Sequence, residues 1–155
     1  MEFTSKEDVE APIGEVFTFL SEFESFERSA IRRGVDVRRI GDASRPLDGL
    51  AWEADFRVRG KERHMRVNLI KFEPDTNIRF EAKGSGILAF FDIDLIALSP
   101  RRTRMTVHLT MQAQSLSARL FIQSMKLAKK NLGKRFKLRV ADYAKIMEDK
   151  LGKKA

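Results

Sequence analysis

Two histidines and a pair of aspartates are the residues whose chemistry would be most useful in an active site. His64 and His108 each alternate with apolar neighbours, which places both on the solvent-facing side of predicted strands. Asp92 and Asp94 stand two residues apart on one strand face, a spacing that can bind a cation or share a proton. The same spacing is typical of a solvated strand face, and basic residues on neighbouring segments favour that interpretation. The sequence therefore predicts no catalytic residue and no metal site, since the histidines are far apart and no carboxylate cluster accompanies them.

The sequence also lacks the usual motifs of nucleophilic catalysis and cofactor binding. Ser85 lies between two glycines, but no strand-to-helix turn of the nucleophile-elbow kind follows it. The same turn, Gly84–Gly86, lacks the lysine and the following helix of a phosphate-binding loop. The chain has no cysteine, which excludes disulfides, thiolate chemistry and cysteine-ligated zinc or iron–sulfur sites. We therefore expect no cofactor, and the sequence offers no convergent set of groups to support an enzyme.

A predicted antiparallel sheet must position whatever functional side chains exist. Leu50–Arg59 alternates apolar with charged residues, which is typical of a strand with one wet face. Four more strand segments follow at short turns, and one precedes it at Val35–Ile40. An opening strand near Phe3–Glu10 and two short helices come earlier. This order predicts an α+β fold with about seven strands, and the 155 residues predict a single domain over 1–155.

The last forty residues, Ser115–Ala155, read as one long amphipathic helix covering about residues 115–150. Ser115 and Ser117 can cap its start, because a serine oxygen accepts the unpaired amides of a first turn. One face is apolar at helical spacing, and that stripe must pack against the sheet. Its members are Phe121, Met125, Ala128, Leu132, Phe136, Val140, Tyr143 and Met147.

The net charge of +8 is concentrated in this C-terminal segment, which holds 12 Lys and Arg but 3 Asp and Glu. A solvated outer face is the simplest interpretation. Docking to an anionic membrane surface is a second interpretation, because each lysine near such a surface contributes about 1 kcal/mol. A nucleic acid partner is not favoured, since RNA-binding surfaces interleave aromatic with basic residues, whereas the aromatic residues here lie on the buried face. The basic face comprises Lys126, Lys130, Lys134 and Lys137.

The N-terminal residues and the hydropathy pattern indicate the cellular compartment in which we expect the protein. Charged residues follow Met1 closely, which is not the pattern of a secretory signal peptide. No run of residues approaches the roughly 18 apolar residues of a membrane span. We therefore expect a cytoplasmic protein.

The opening segment carries a resemblance to a known superfamily. Val9–Ile13, with the sequence Val-Glu-Ala-Pro-Ile, followed by Glu15-Val16-Phe17, resembles the start of START-like (SRPBCC) helix-grip domains. That superfamily includes Bet v 1-like allergens, polyketide cyclases and lipid-transfer modules. The element order is similar over nearly the whole chain, most closely to bacterial proteins labelled polyketide cyclase/dehydrase-like or lipid-transport-like, many of them uncharacterised.

The resemblance implies a curved sheet wrapped around the long C-terminal helix, with a hydrophobic cavity between them. We expect binding, transport or sequestration of a hydrophobic small molecule or lipid there, although a fully packed interior is the alternative. A cyclase or aromatase-like enzyme and a membrane-associated quinone or lipid chaperone also remain open. Gly133, inside the helix, either permits a bend at the mouth or simply packs closely. The predicted ligand-binding residues that line the cavity are Trp52, Phe56, Met65, Val67, Phe80, Phe91, Ile93, Val107, Leu109, Met111, Phe121 and Met125.

Overall fold

The computed structural model describes residues 1–152 and contains seven strands and four helices. The strands are β1 (Glu2–Val9), β2 (Asp36–Ile40), β3 (Ala51–Val58), β4 (Lys61–Glu73), β5 (Asn77–Gly84), β6 (Ile87–Ser99) and β7 (Arg102–Ala113). The helices are α1 (Ile13–Leu20), α2 (Phe23–Arg32), α3 (Leu116–Lys126) and α4 (Lys129–Gly152). The end of the predicted domain, residues 153–155, lies outside the described residues.

All seven strands form one antiparallel sheet in the order β1-β7-β6-β5-β4-β3-β2. From β2 to β7, each strand pairs with the strand that follows it in the chain, and β1 pairs with β7 at the edge of the sheet. The register shifts at Ile70 on β4 and at Leu98 on β6, where one strand has an extra residue. Such bulges bend a strand and increase its twist, so they help the sheet to curve. The predicted α+β architecture is confirmed.

The main hydrophobic core lies between the concave face of the sheet and the helices α1, α2 and α4. Strand alternation separates the two faces of the sheet: Trp52 is buried in the core, whereas the next residue, Glu53, pairs with Arg66 of β4 on the outer face at 3.2 Å. Pro12 precedes α1, where its fixed backbone angle suits the start of a helix. Val16 and Leu20 of α1 are completely enclosed.

The prediction of a single C-terminal helix over about residues 115–150 is wrong in one respect. Leu127 and Ala128 separate α3 from α4, and the Ala128 amide bonds back three residues to the Met125 carbonyl at 2.9 Å. The physical reason is that the two halves pack on different strands, α3 on β7 and α4 on β1. Ser115 caps α3 as predicted, because its Oγ accepts from the Ala118 amide at 3.1 Å.

Gly133 does not bend the helix, since α4 continues through it without interruption. A Cβ atom added at Gly133 would lie 3.9 Å from the Phe3 ring, which is ordinary van der Waals contact. The packing interpretation of Gly133 therefore fits the structure, and the interruption of the helix lies at Leu127–Ala128 instead.

Candidate ligand-binding cavity

Two apolar cavities adjoin each other inside the curve of the sheet. The first, which we call the sheet cavity, has a volume of about 290 Å³ and lies between α2 and strands β2 to β6. The second, the helix cavity, has a volume of about 340 Å³ and lies beneath α4. Phe26, Phe91 and Ile93 contribute to the walls of both. Ligand pockets typically measure about 300–1,000 Å³, so the two together are large enough for a small apolar molecule.

Seven of the twelve predicted ligand-binding residues line one of these cavities or both. Five of them line the sheet cavity, and two of those five, Phe91 and Ile93, also line the helix cavity. The remaining two line the helix cavity alone, together with Phe136 of α4. Their clustering follows from strand alternation, because inward positions on adjacent strands face the same space. The seven are Trp52, Val67, Phe80, Phe91, Ile93, Val107 and Leu109.

The other five predicted residues, Phe56, Met65, Met111, Phe121 and Met125, do not contribute to either cavity wall. Phe121 and Met111 instead pack against a small separate cluster centred on Ile87, Ala89 and Ala118, beneath α3. The cause is the break before α4, which carries α3 over the far part of β7.

An arginine that sequence reasoning missed also occupies that end of the sheet. Arg63 lies on the inward side of β4, and its guanidinium carbon is 4.3 Å from the centre of the Phe121 ring. Arg59 approaches the same ring at 5.3 Å and donates to the Ser124 hydroxyl at 2.6 Å. Residues two apart on a strand share a face, so the prediction that Met65 points inward also predicts that Arg63 does.

Glu27 of α2 is the one carboxylate in the wall of the sheet cavity. Its Oε2 accepts hydrogen bonds from Arg39 Nε at 2.6 Å and from Trp52 Nε1 at 2.7 Å, and its Oε1 accepts from Arg39 Nη2 at 2.9 Å. Partial burial acts to raise the pKa of Glu27, but the hydrogen bonds from Arg39 and Trp52 outweigh it and hold the pKa below its usual value. Glu27 is therefore an anion that joins α2 to β2 and β3.

Sequence reasoning missed Glu27 because it looked for catalytic motifs and not for the inner face of α2. Glu27 follows Phe23 by four residues and Phe26 by one, so helical spacing puts it beside the apolar stripe. The sequence alone was therefore enough to place Glu27 next to the apolar face of α2.

The Tyr143 hydroxyl is a second polar group at the cavity wall. Its ring packs on Phe26 and Phe19, with ring centres 5.6 and 5.8 Å away. The oxygen is buried and has no hydrogen-bond partner among residues 1–152. Burial, with a contribution from the nearby charge of Glu22, raises the pKa of Tyr143 above its usual value, so the hydroxyl is a neutral donor.

The histidines and the aspartate pair lie on the outer face of the sheet, away from both cavities. His64 stands between two carboxylates, with Nδ1 at 2.7 Å from Asp55 and Nε2 at 2.5 Å from Glu53. The hydrogen bond to Asp55 is the main reason that the pKa of His64 is raised. The expectation that no carboxylates accompany the histidines is therefore wrong for His64, because the register of β3 against β4 supplies them across the strands.

Asp92 and Asp94 are bridged by a neighbouring amide. Asn77 Nδ2 donates to Asp92 at 3.2 Å and to Asp94 at 2.7 Å, and it is itself buried. In the part of the chain that the structure describes, no group of three or more His, Asp or Glu side chains is arranged to hold a metal ion.

The basic face lies at the surface of the two C-terminal helices, where Lys126, Lys130, Lys134 and Lys137 are all exposed. Leu127, at the break between α3 and α4, is 92% exposed among these lysines. None of the helices within residues 1–152 is both long enough and apolar enough to cross a bilayer.

Solved structures of the same architecture match between 74% and 99% of the chain. The chain is similar to a conserved protein from Geobacillus kaustophilus, with a TM-score of 0.66 and 15% identity over 99% of this chain and 96% of that one. It is also similar to a START superfamily protein from Mycobacterium smegmatis, with a TM-score of 0.54 and 13% identity over 86% and 95% of the two chains. The Zhui aromatase/cyclase from Streptomyces sp. R1128 has a TM-score of 0.54 and 13% identity over 74% of this chain and 69% of its own.

No protein-family model and no curated protein sequence matches the chain. At these low identities the structural likenesses establish the fold alone, and they confirm the predicted one. The seven-stranded curved sheet closed by a C-terminal helix is thus the helix-grip fold, the architecture that this chain shares with that START superfamily protein and that aromatase/cyclase.

Proposed function

We propose that the protein binds a hydrophobic small molecule or the apolar part of a lipid in the two cavities, for transport or sequestration. The supporting observation is the pair of adjoining cavities, whose walls are almost entirely apolar side chains and share Phe26, Phe91 and Ile93. Burial of apolar surface contributes about 25 cal/mol per Å² before the costs of binding. An internal space of this kind departs from the close packing that interiors normally reach.

The sole tryptophan provides a built-in probe, since Trp52 lines the sheet cavity. We would titrate the protein with the methyl ester of cis-parinaric acid, an uncharged fluorescent chain, and follow Trp52 quenching and probe emission. We expect saturable binding. Absence of both signals in a folded sample would contradict the proposal.

A cavity-filling variant localises the binding. Ala54 lines the sheet cavity, so Ala54→Leu should weaken probe binding at least tenfold. Ala97→Leu makes the same change at an exposed position of β6 and should leave binding unchanged. Thermal unfolding of both variants checks that they remain folded. If the two variants changed probe affinity equally, the probe would not be bound in the sheet cavity.

Glu27 is the observation that favours the second candidate, an enzyme of the cyclase or aromatase kind. A carboxylate in an apolar wall could orient a reactive polyketide chain, and positioning alone accelerates such ring closures. The assay is the product distribution formed from a poly-β-keto thioester with and without the protein. A distribution identical to the spontaneous one would exclude this activity.

A third candidate is a quinone or lipid chaperone that works at an anionic membrane surface. Leu127 and the surrounding lysines support it, because an exposed apolar side chain among cations suits the boundary between headgroups and acyl chains. Flotation with phosphatidylcholine vesicles, with or without phosphatidylserine, tests it. Leu127→Gln should reduce flotation with the anionic vesicles, whereas Leu47→Gln, at an exposed leucine elsewhere, should not.

A further inference from the structure

A groove between α2 and α4 carries three arginines beside the helix cavity. The groove has a volume of about 590 Å³ and includes Arg33 at the end of α2 and Arg135 and Arg139 on α4. We call it the arginine groove. Arg139 and Tyr143 line both this groove and the helix cavity, so these two residues form the boundary between a cationic and an apolar space.

The three guanidinium groups are not neutralised within the fold. None of Arg33, Arg135 and Arg139 has a carboxylate within 4.0 Å among residues 1–152. By contrast, Arg39 and Arg104 elsewhere in the protein are held against carboxylates at 2.6 and 2.9 Å. The groove contains one acidic residue, Asp142, and so keeps a surplus of positive charge.

We propose that the protein binds an amphiphile whose anionic head, a carboxylate or a phosphate, lies in the arginine groove while its apolar tail enters the helix cavity. This inference rests on the proposed function and adds the chemical class of the ligand. The boundary residues carry the argument. Arg139 contributes to the walls of both spaces, and an arginine can lay its methylene stem along apolar surface while its charged end stays in a polar one; the ring of Tyr143 packs on Phe26.

The donors at the boundary match an ionised head. Guanidinium groups bind carboxylate and phosphate oxygens in bidentate geometry, and such charge-assisted bonds are about twice as strong as neutral ones. An ionised carboxylate is an acceptor only, so it pairs with the guanidinium donors and leaves no donor of its own unpaired. A hydrocarbon would leave these donors unused, and a sterol hydroxyl would accept from them without the added strength of a charged acceptor.

The decisive comparison is between cis-parinaric acid and its methyl ester, which share a tail but differ in charge. We expect the wild-type protein to bind the acid at least tenfold more tightly than the ester. Arg135→Gln combined with Arg139→Gln should remove that preference, so that the two probes bind with similar affinity. Displacement of the acid by palmitate or by palmitoyl lysophosphatidic acid then distinguishes a carboxylate head from a phosphate head.

Matched variants on the same helix separate a local head-group site from general attraction. Lys137→Gln removes one charge from α4 outside the groove and should leave the preference for the acid within twofold of the wild type. Asp142→Asn removes the opposing charge within the groove and should increase that preference.

The outcomes for the two proposals differ. Equal binding of acid and ester to the wild type would overturn this inference and leave the proposed function intact. An effect of Lys137→Gln as large as that of the arginine variants would also overturn it. Failure of both probes to bind would overturn the proposed function, and this inference with it.

Discussion

Removal of the Glu27 charge gives the sharpest test of how the cavity wall is held together. Glu27→Gln keeps the shape of the side chain but replaces one carboxylate oxygen by an NH₂ group. That group would face a donor, either Arg39 Nη2 or the pair formed by Arg39 Nε and Trp52 Nε1. At least one of the three bonds is therefore lost, and the others lose their charge assistance.

The expected cost follows from the geometry and the burial. Glu27 and Arg39 side chains are 20% and 25% exposed, so solvent screens them only partly. Hydrogen bonds to charged groups contribute about 1.5–3 kcal/mol and neutral ones about 1 kcal/mol, and an unsatisfied buried donor costs about 1–3 kcal/mol. We therefore expect Glu27→Gln to lower the free energy of unfolding by about 2–4 kcal/mol.

Urea unfolding followed by far-ultraviolet circular dichroism measures this difference. Glu24→Gln is the matched control on the same helix, because Glu24 and Arg28 are 73% and 63% exposed and 3.7 Å apart. It should change the free energy of unfolding by less than about 1 kcal/mol. Because the group beside Trp52 Nε1 loses its charge in either orientation of the amide, Glu27→Gln should also alter Trp52 emission, whereas Glu24→Gln should not.

The dependence on pH adds a second criterion. The folded-state pKa of Glu27 is depressed, so its stabilisation is present above the unfolded pKa of about 4.5 and is lost as the pH falls through the folded value. The gap between wild type and Glu27→Gln should accordingly shrink on acidification below that point. The reasoning would be refuted if Glu27→Gln changed the free energy of unfolding at neutral pH by no more than Glu24→Gln does. It would also be refuted if the difference between wild type and Glu27→Gln stayed the same in acid.

Three other predictions concern the helix, one turn and the outer sheet face. Gly133→Ala should raise the free energy of unfolding by up to about 1 kcal/mol, because alanine favours helix and the added methyl lies 3.9 Å from Phe3; destabilisation in urea would contradict this. Gly84→Ala should cost more than about 3 kcal/mol or prevent folding, since the added Cβ would clash with the His64 carbonyl oxygen, and a variant with wild-type thermal stability would disprove the clash. The raised pKa of His64 should appear in a nuclear magnetic resonance titration as a midpoint above 6.5, and Asp55→Asn should lower that midpoint. Any stabilisation from the His64–Asp55 pair is present below pH 6.5 and is lost as the pH rises through the folded-state pKa of His64.

Local patterns in the sequence were enough to predict the sheet and its inner face. The alternation around Trp52 depends on a period of two, which a strand imposes whatever its partners are. Trp52 and Val67 could thus be assigned to the interior before their partners were known, and both line the sheet cavity. Their role in binding a ligand stays a prediction.

The rest depended on information that lies between elements. Pairing of β3 with β4 decides that Glu53 and Asp55 flank His64, and no pattern within either strand contains that register. The break at Leu127 is similar, because the apolar period continues through it, whereas the contacts of α3 with β7 and of α4 with β1 are made between elements. Phe121 was assigned to the cavity for that reason, whereas α3 carries it to a separate cluster.

The sheet ends at β2, a strand of five residues that, within residues 1–152, pairs with β3 alone. A strand with one open side offers its backbone to strands of other molecules, which is a common route to aggregation. Short length and charge both limit this route, and β2 has both, with Arg38 and Asp36 exposed along it. Replacing Arg38 by valine would leave the pairing with β3 intact and weaken that protection, since the short length and Asp36 would remain. The residues of β2 therefore matter as much for the contacts that they prevent in a crowded cell as for the one that they make.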